Sequence, residues 1–174
     1  MTLLAVTVLG RDRPGIVADT TAALARLGGN LEDSTMTLLR GHFAMLLLVQ
    51  TTAAAAEVEA ALAGLAADGA LAVDVREVPD AGAPVAPTAG APYVLSVHGA
   101  DRPGIVGSLT GVVAGAGGNV TDLSTRLTGD LYVLLAEVAL PAATDVSALE
   151  LRLRAAADEL CVDVSLRALD TDDL

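Results

Sequence analysis

The stretch GRDRPGIVADTTAALARLGGNLED at Gly10–Asp33 returns later in the chain as GADRPGIVGSLTGVVAGAGGNVTD at Gly99–Asp122. Both copies keep the same spacing between a DRPGIV segment and a Gly-Gly-Asn segment, so a shift of 89 residues aligns them without a gap. The same shift aligns the VDV sequence of residues 73–75 with that of residues 162–164. A repeat of this length predicts two copies of one structural unit.

A proline-rich segment separates the two copies. The sequence PDAGAPVAPTAGAP at Pro79–Pro92 holds four of the seven prolines in the chain. Proline fixes φ and removes a backbone donor, so such a run is typical of a semi-extended linker. The sequence therefore predicts a first domain at residues 1–78, a linker at residues 79–92, a second domain at residues 93–169 and an acidic tail at residues 170–174.

Each copy has the pattern of a strand, a helix, two strands, a second helix and a last strand. Short β-rich apolar runs predict first strands at Leu3–Leu9 and Tyr93–His98, and Pro14 and Pro103 suit the opening turns of the helices that follow. The Gly-Gly pairs stand where a helix end favours positive φ. The remaining predicted elements are hairpins that turn near Arg40-Gly41 and Gly129-Asp130, second helices at Glu57–Asp68 and Asp145–Glu159, and last strands at Leu71–Val78 and Cys161–Leu169.

This order of elements predicts an α+β protein made of two tandem ferredoxin-like βαββαβ domains. Right-handed crossovers place the first and third strands of each antiparallel sheet at its centre. In the third strand of the first copy, residues 43, 45, 47 and 49 are apolar, and so are residues 44, 46 and 48. Helices cover only one face of such a sheet. We therefore expect the second face or edge to be covered by the other copy or by another chain.

The composition excludes several classes of function. The chain has 22 acidic and 10 basic residues, a net charge of −12, no Trp and only one Phe. Direct nucleic-acid binding normally requires a basic surface, with aromatic side chains for base stacking, so it is not expected. We expect neither a secretory leader nor a membrane span, and the sequence has no Cys/His cluster or P-loop motif. We expect a cytoplasmic protein with no metal, no cofactor and no membrane partner.

The two DRPG segments are candidate binding loops. Backbone N–H groups at Gly15, Ile16 and Val17, together with the helix dipole, suit a carboxylate. Asp12 suits a ligand's ammonium group or caps the helix, and the amide of Asn30 both donates and accepts hydrogen bonds. The three features within reach of one ligand would suit an α-amino acid, whereas DRPG and Gly-Gly-Asn are also common as plain turns. The second copy repeats the set at Asp101, Gly104, Ile105 and Asn119.

The motif GRDRPGIVADTTAALARLGGNLEDS, the strand HFAMLLLV and the second copy resemble the tandem ACT-domain proteins, most closely the glycine cleavage system transcriptional repressor family. ACT domains are small regulatory modules that commonly bind amino acids at interfaces between paired domains. The resemblance covers nearly the whole chain. The ligand contacts that it implies are Asp12, Gly15, Ile16, Asn30 and Leu31 in the first copy, and Asp101, Gly104, Ile105, Asn119 and Val120 in the second.

The two copies differ at positions near these residues. Glu32, Ser34 and His42 of the first copy are replaced by Thr121, Leu123 and Leu131 in the second. The second copy has His98 where the first has Leu9, and the position of this imidazole allows either contact with a bound carboxylate or a solvent-facing strand end. The two sites therefore need not bind equally. Cys161 begins a predicted strand and is expected to be a small buried hydrophobe.

The sequence favours a non-catalytic regulator that binds glycine or another small amino acid and acts through a protein partner, as a homodimer. An enzyme is not expected. Similar DRPGIV-type ACT domains precede the catalytic domains of some enzymes, but here the second copy ends near residue 169, which leaves no room for a catalytic domain. Two alternatives stay open. The first alternative to this regulator is a regulatory subunit of an amino-acid metabolic enzyme, and the second is a ligand-free ACT dimerisation module.

Overall fold

The computed structural model describes residues 1–67, 69–78 and 90–169, which form two compact units, Met1–Gly82 and Ala83–Leu174. Each unit has the order βαββαβ. In the first unit the elements are β1 (Thr2–Arg11), α1 (Ile16–Arg26), β2 (Asn30–Leu39), β3 (His42–Thr51), α2 (Ala55–Leu62), a short 3-10 helix (Ala63–Ala66) and β4 (Leu71–Val78). In the second they are β5 (Gly90–Ala100), α3 (Ile105–Ala114), β6 (Asn119–Thr128), β7 (Leu131–Pro141), α4 (Val146–Leu160) and β8 (Val162–Ala168).

Both sheets are antiparallel and have four strands. The strand order is β2-β3-β1-β4 in the first unit and β6-β7-β5-β8 in the second. The first and third strands of each unit are therefore central, and the predicted ferredoxin-like topology is confirmed. The second strand of each unit lies at one edge and the last strand at the other.

The core of the first unit lies between the sheet and its helices. From β1 and β3, alternate side chains are buried on the helix face, where Leu4 pairs with Val49 and Val6 pairs with Leu47. Residues of α1 and α2 at helical spacing cover them, because every third or fourth side chain of a helix points to the same side. The buried helix residues are Ile16, Thr20, Ala23, Leu24, Val58 and Leu62. The Thr20 hydroxyl donates to the Ile16 carbonyl oxygen at 2.7 Å, so this buried polar group is satisfied.

The core of the second unit repeats this arrangement with different side chains. Leu95 and Val97 of β5 pack with the buried face of β7, and α3 and α4 cover both strands. The residues of β7 and the two helices in this hydrophobic cluster are Leu134, Ala136, Val138, Leu140, Ile105, Leu109, Val113, Leu149, Leu153 and Ala157. Each unit thus has a hydrophobic cluster of its own.

The Gly-Gly pairs end the first helix of each unit, as predicted. After α1, the Gly28 N–H donates to the Ala25 carbonyl and the Gly29 N–H donates to the Leu24 carbonyl, both at 3.0 Å. Gly28 has a φ of 67°, a left-handed conformation that favours glycine. Gly29 has no space for a side chain, since a Cβ atom there would lie 2.9 Å from the Leu24 carbonyl oxygen. The glycines of this motif are therefore explained by the turn alone.

Several element boundaries and one side chain differ from expectation. The second helix of the first unit was predicted at Glu57–Asp68, but α2 ends at Leu62 and a 3-10 helix follows it. The first helices begin at Ile16 and Ile105, after the prolines, because Gly15 and Gly104 occupy the N-cap with φ values of 96° and 95°. The last strand of the second unit begins at Val162, because Cys161 has a φ of 53° and ends α4. The Cys161 side chain is consequently exposed, and the prediction that it is buried is wrong.

The predicted linker extended to Pro92, whereas β5 begins at Gly90. The proline is tolerated because its carbonyl oxygen faces the β8 side and accepts a bond from the Leu169 N–H at 2.9 Å. The N and C=O groups of one strand residue point to the same side of the strand. The N–H that Pro92 lacks would therefore face β8, and no hydrogen bond to β7 is lost. The rest of the predicted linker, residues 79–89, and the predicted tail, residues 170–174, lie outside the described residues.

The sheet face opposite the helices is largely apolar along β3 in the first unit, whereas Thr7 of β1 and the ion pair of Asp74 with Arg76 on β4 make its flank polar. Leu9 is 57% exposed and Leu46 is 42% exposed on this face, while Ala5, Ala44 and Leu48 beside them are half-buried. No helix of the unit packs on this open face, because α1, α2 and the 3-10 helix all lie on the other side. The open face is therefore apolar surface available for association.

Two glycines within α3 provide a stability test. Gly107 and Gly111 stand where α1 has Ala18 and Ala22, and a Cβ atom at either glycine would meet nothing within 4 Å. Glycine is a poorer helix former than alanine, so Gly107→Ala and Gly111→Ala should each stabilise the second unit by about 0.5 to 1 kcal/mol. Urea denaturation measures this. Ala22→Gly in α1 is the matched control and should lower stability by a similar amount.

Candidate functional site

The loop between β1 and α1 presents backbone donors at one end of the first sheet. Gly15 is the N-cap, and its carbonyl accepts the Asp19 N–H at 2.8 Å, so the first N–H groups of α1 have no partner within the helix. The Asp12 N–H donates to the Gly41 carbonyl at 3.0 Å, which ties the loop to the β2–β3 turn. The Asp12 side chain itself is exposed. A carboxylate and helix N–H groups therefore lie on one loop.

The second unit has the same arrangement between β5 and α3. Gly104 is the left-handed N-cap, and its carbonyl accepts the Ser108 N–H at 2.9 Å. Asp101 is exposed, as Asp12 is, while Ile105 is buried beneath the loop, as Ile16 is in the first unit. Both isoleucines therefore offer a ligand only their backbone N–H groups, because their side chains belong to the core.

Asn30 does not lie near Asp12 in the same unit. Arg11 pairs with His42 at one end of β3, whereas Asn30 pairs with Gln50 at the other end. Eight residues of an extended strand separate the two ends, a distance of about 26 Å. The helix α1 returns the chain to the opposite end of the sheet before β2 begins. The expectation that one copy holds the acid, the N–H groups and the amide within reach of one ligand is therefore wrong.

The same separation holds in the second unit. Asp101 follows Ala100, which pairs with Leu131, while Asn119 pairs with Ala139. Asn119 is exposed at the first position of the edge strand β6. In each unit the amide thus lies at one end of the sheet and the loop at the other.

Leu31 lies in a shallow apolar groove between α1 and the edge strand β2. The groove has a volume of about 130 Å³. Its lining residues are Val17, Thr21, Leu31, Ser34, Thr35, Met36, Met45 and Leu47. Val17, Leu31 and Met36 remain substantially exposed along it. Val120, the counterpart of Leu31, is half-buried against the core of the second unit.

His98 does not join the loop donors of α3. It lies on the sheet face opposite the helices, since Val97 and Leu95, the buried residues of β5, alternate with it. Its Nε2 atom lies 3.4 Å from an Asp163 carboxylate oxygen on β8, and both side chains are largely exposed. Of the two alternatives for His98, this position favours the solvent-facing strand end, and an exposed pair of this kind contributes little to stability.

Tyr132 is a neighbour of the second loop that the sequence analysis did not single out. It lies on the helix face at the start of β7, opposite Gly99 and close to the Asp101 loop, and it is half-buried. Burial raises the pKa of its phenol above 10.0, a hydrogen bond with the Thr125 side chain opposes this, and the Asp101 charge adds to the rise. The available signal was its alignment with Phe43 in the first copy. At this aligned position only the second unit has an aromatic hydroxyl group.

No group of three or more His, Cys, Asp or Glu side chains in the described ranges is placed to hold a metal ion. Among the helices that the structure describes, none is both long and apolar enough to cross a membrane.

Comparison with known proteins identifies one family. The model of the ACT domain family matches residues 2–76 and 92–167, which together exceed half of the chain. A UPF0237 protein from Methanopyrus kandleri is 50% identical over 54 residues, which are 31% of this chain and 60% of that protein. A UPF0237 protein from Lactococcus lactis is 48% identical over 46 residues, 26% of this chain and 53% of that protein. The chain thus spans little more than half the length of these relatives.

Two solved structures match over nearly the whole chain. An unknown protein from Galdieria sulphuraria has a TM-score of 0.80 at 31% identity, covering 97% of this chain and 99% of that one. A "putative glycine cleavage system transcriptional repressor" has a TM-score of 0.71 at 21% identity, covering 98% of both chains. The second likeness, at this identity, concerns the fold alone.

Proposed function

Because the chain belongs to the ACT domain family, we propose that it is a non-catalytic regulator that binds a small amino acid, such as glycine, and changes its association with a protein partner. The observation that carries this proposal is the duplicated loop. In both units an exposed aspartate precedes a left-handed glycine N-cap and the unpaired N–H groups of a helix. The carboxylate suits the ammonium group of an α-amino acid, and the N–H groups suit its carboxylate.

The separation of Asn30 from Asp12 supports a ligand site completed by a second ACT unit. A free amino acid is far shorter than the distance of about 26 Å between the two ends of β3, so one molecule contacts both groups only if they come from different units. We propose that a homodimer supplies the second unit. A ligand bridging two units stabilises their association, which couples binding to the oligomeric state.

The edge strand β2 supports such pairing. All ten of its residues, Asn30–Leu39, are exposed, and it lies outermost in the sheet. An edge strand of this length presents a row of backbone donors and acceptors to another chain. Apolar side chains along the same edge, among them Met36 and Leu38, add area that water leaves on association.

The partner that reads out binding is proposed to be a protein. The net charge of −12 disfavours direct contact with phosphate groups, so any effect on transcription would pass through a DNA-binding protein. A regulatory role toward an amino-acid metabolic enzyme uses the same ligand and the same coupling. Copurification from the native host, with and without the amino acid, separates the two by the identity of the partner.

Thermal unfolding with each of the twenty amino acids at millimolar concentration tests ligand binding. One selective amino acid should raise the midpoint, because a ligand at about 100 times its dissociation constant adds roughly 2.7 kcal/mol to the folded state. Asp12→Asn with Asp101→Asn should abolish this rise, and so should Asn30→Ala with Asn119→Ala. Asp158→Asn, an exposed aspartate on α4 remote in sequence from both loops, is the matched control and should leave it intact.

The apolar open face of the first unit favours a second candidate function, a ligand-free association module. The two candidates separate in the same experiment. A midpoint that no amino acid changes would contradict amino-acid sensing and leave association as the function. A rise that survives substitution of both aspartates would contradict the proposed site.

A further inference from the structure

The two loops are alike, but the side chains beside them are not. Asp12 corresponds to Asp101, and both are exposed. On the helix face the second unit has Tyr132, opposite Gly99, and Thr125 on the adjacent strand β6, whereas the corresponding residues of the first unit are Phe43 and Met36. The second unit therefore has two hydroxyl groups where the first has only apolar groups.

These residues lie on the same side of the sheet as the helix that carries the loop. Tyr132 continues the alternation of the buried β7 residues Leu134 and Ala136, and it lies opposite Gly99, two residues before Asp101. Thr125 pairs with Leu134 from the edge strand β6, so it shares that face. In the first unit Met36 lines the groove between α1 and β2, which indicates that this position borders the edge groove.

The burial of the two aromatic rings differs in a way that matters for binding. Phe43 is 2% exposed and belongs to the core, while Tyr132 is half-buried. Thr125 lies diagonally across from it on the same face, since Tyr132 pairs with Leu127 of β6 and Thr125 pairs with Leu134. A phenol with the ordinary pKa of 10.0 is already protonated near neutral pH, and burial raises this pKa further, so the hydroxyl is able to donate.

We propose that Tyr132 and Thr125 make the second unit selective for an amino acid with a hydroxyl-bearing side chain, whereas the first unit takes one with an apolar side chain or none. This inference rests on the proposed function, which assigns the ligand's ammonium and carboxylate groups to Asp101 and the α3 N–H groups. The ligand's side chain is then the remaining part available to the two hydroxyls. A site that hydrogen-bonds a ligand hydroxyl discriminates against the analogue that lacks it.

Calorimetric titration of the full chain with L-serine and L-alanine tests the inference. The Asp12→Asn background removes the first site, so that the second is measured alone. Tyr132→Phe in that background should reduce the preference for serine over alanine by about 3- to 10-fold, the range expected for one net hydrogen bond. The affinity for alanine should change little. Tyr93→Phe, at the other tyrosine of the same unit, should leave the preference unchanged.

A gain-of-function variant complements the loss. Phe43→Tyr combined with Met36→Thr, in an Asp101→Asn background, should shift the first site toward serine. This variant distinguishes selectivity from simple damage, because damage at Tyr132 would weaken both ligands equally.

Three outcomes overturn the inference. They are an unchanged serine preference in Tyr132→Phe, an equal loss of both ligands, and a second site that binds only amino acids without a hydroxyl. In each of these outcomes amino-acid binding itself is retained, so the proposed function stands. A chain that binds none of the twenty amino acids overturns the proposed function together with the inference.

Discussion

Leu47→Ala is expected to destabilise the first unit by about 3 to 5 kcal/mol, the usual range for a leucine removed from a tightly packed core. Leu47 is 1% exposed, lies on the central strand β3 and pairs with Val6 in the middle of the cluster. Its loss leaves a cavity that the sheet cannot close, because both neighbouring strands are held by backbone pairing. This is a large part of the stability of a domain of this size.

The measurement exploits the distribution of aromatic residues. The chain has two tyrosines and no tryptophan, and both tyrosines, Tyr93 and Tyr132, lie in the second unit. In urea, far-UV circular dichroism reports both units, while tyrosine fluorescence reports the second alone. We expect Leu47→Ala to lower the midpoint of the first unit and leave the fluorescence transition in place. Displacement of both transitions together would contradict independent folding of the two units.

Leu46→Ala is the matched control for this substitution. Leu46 is the adjacent residue on β3, but it lies on the open face and is 42% exposed. The same atoms are removed, so the difference between the variants isolates the effect of burial. We expect a cost below about 1 kcal/mol in the monomer. A loss that grows with protein concentration would instead show that association covers the open face.

Gly10→Ala is expected to be the second most disruptive change, with a cost of about 3 kcal/mol from overpacking and a lost hydrogen bond. A Cβ atom at Gly10 would fall on the Ala70 carbonyl oxygen and would lie 2.9 Å from the Leu71 Cα atom. These are backbone atoms, which move less readily than the end of a side chain. The carbonyl also accepts the Arg11 N–H at 3.1 Å, so displacing it weakens the start of β4.

Urea denaturation followed by circular dichroism measures this cost, with Gly64→Ala as the control. A Cβ atom at Gly64, on the 3-10 helix, would meet nothing within 4 Å. We expect the free energy of unfolding of that variant to stay within about 0.5 kcal/mol of the wild-type value. Equal effects of the two substitutions would show that β4 moves aside at little cost and that the close approach at Gly10 is not a constraint.

The repeat explains why so much of the fold followed from the chain alone. Two independent copies of the pattern agreed on the order of elements, on the hairpin turns and on the glycines that end α1 and α3. The element ends were less accurate where a single residue changed the geometry. Pro14 was expected in the opening turn of α1, but it precedes the helix because Gly15 takes the N-cap. Pro92 was accommodated in a strand because its missing donor faces away from β7.

The candidate site was also predicted only in part from the sequence. Local sequence determined the two loops, because a left-handed glycine and the start of a helix depend on residues next to one another. The distance between Asp12 and Asn30 did not follow from their spacing, since it depends on which end of β3 each residue pairs with. The position of Tyr132 beside Asp101 likewise required the register of β7 against β5.

By itself the sequence determined the duplication, the topology of each unit and the two loops, because repeats, hydrophobic alternation and turn residues act over short spans of chain. Only the tertiary structure decided that the amide lies at the far end of the sheet, that His98 faces away from the helices and that one loop has hydroxyl neighbours. These facts depend on strand register and on which face of the sheet each residue occupies. Pairing between distant strands sets both, and no local pattern specifies it.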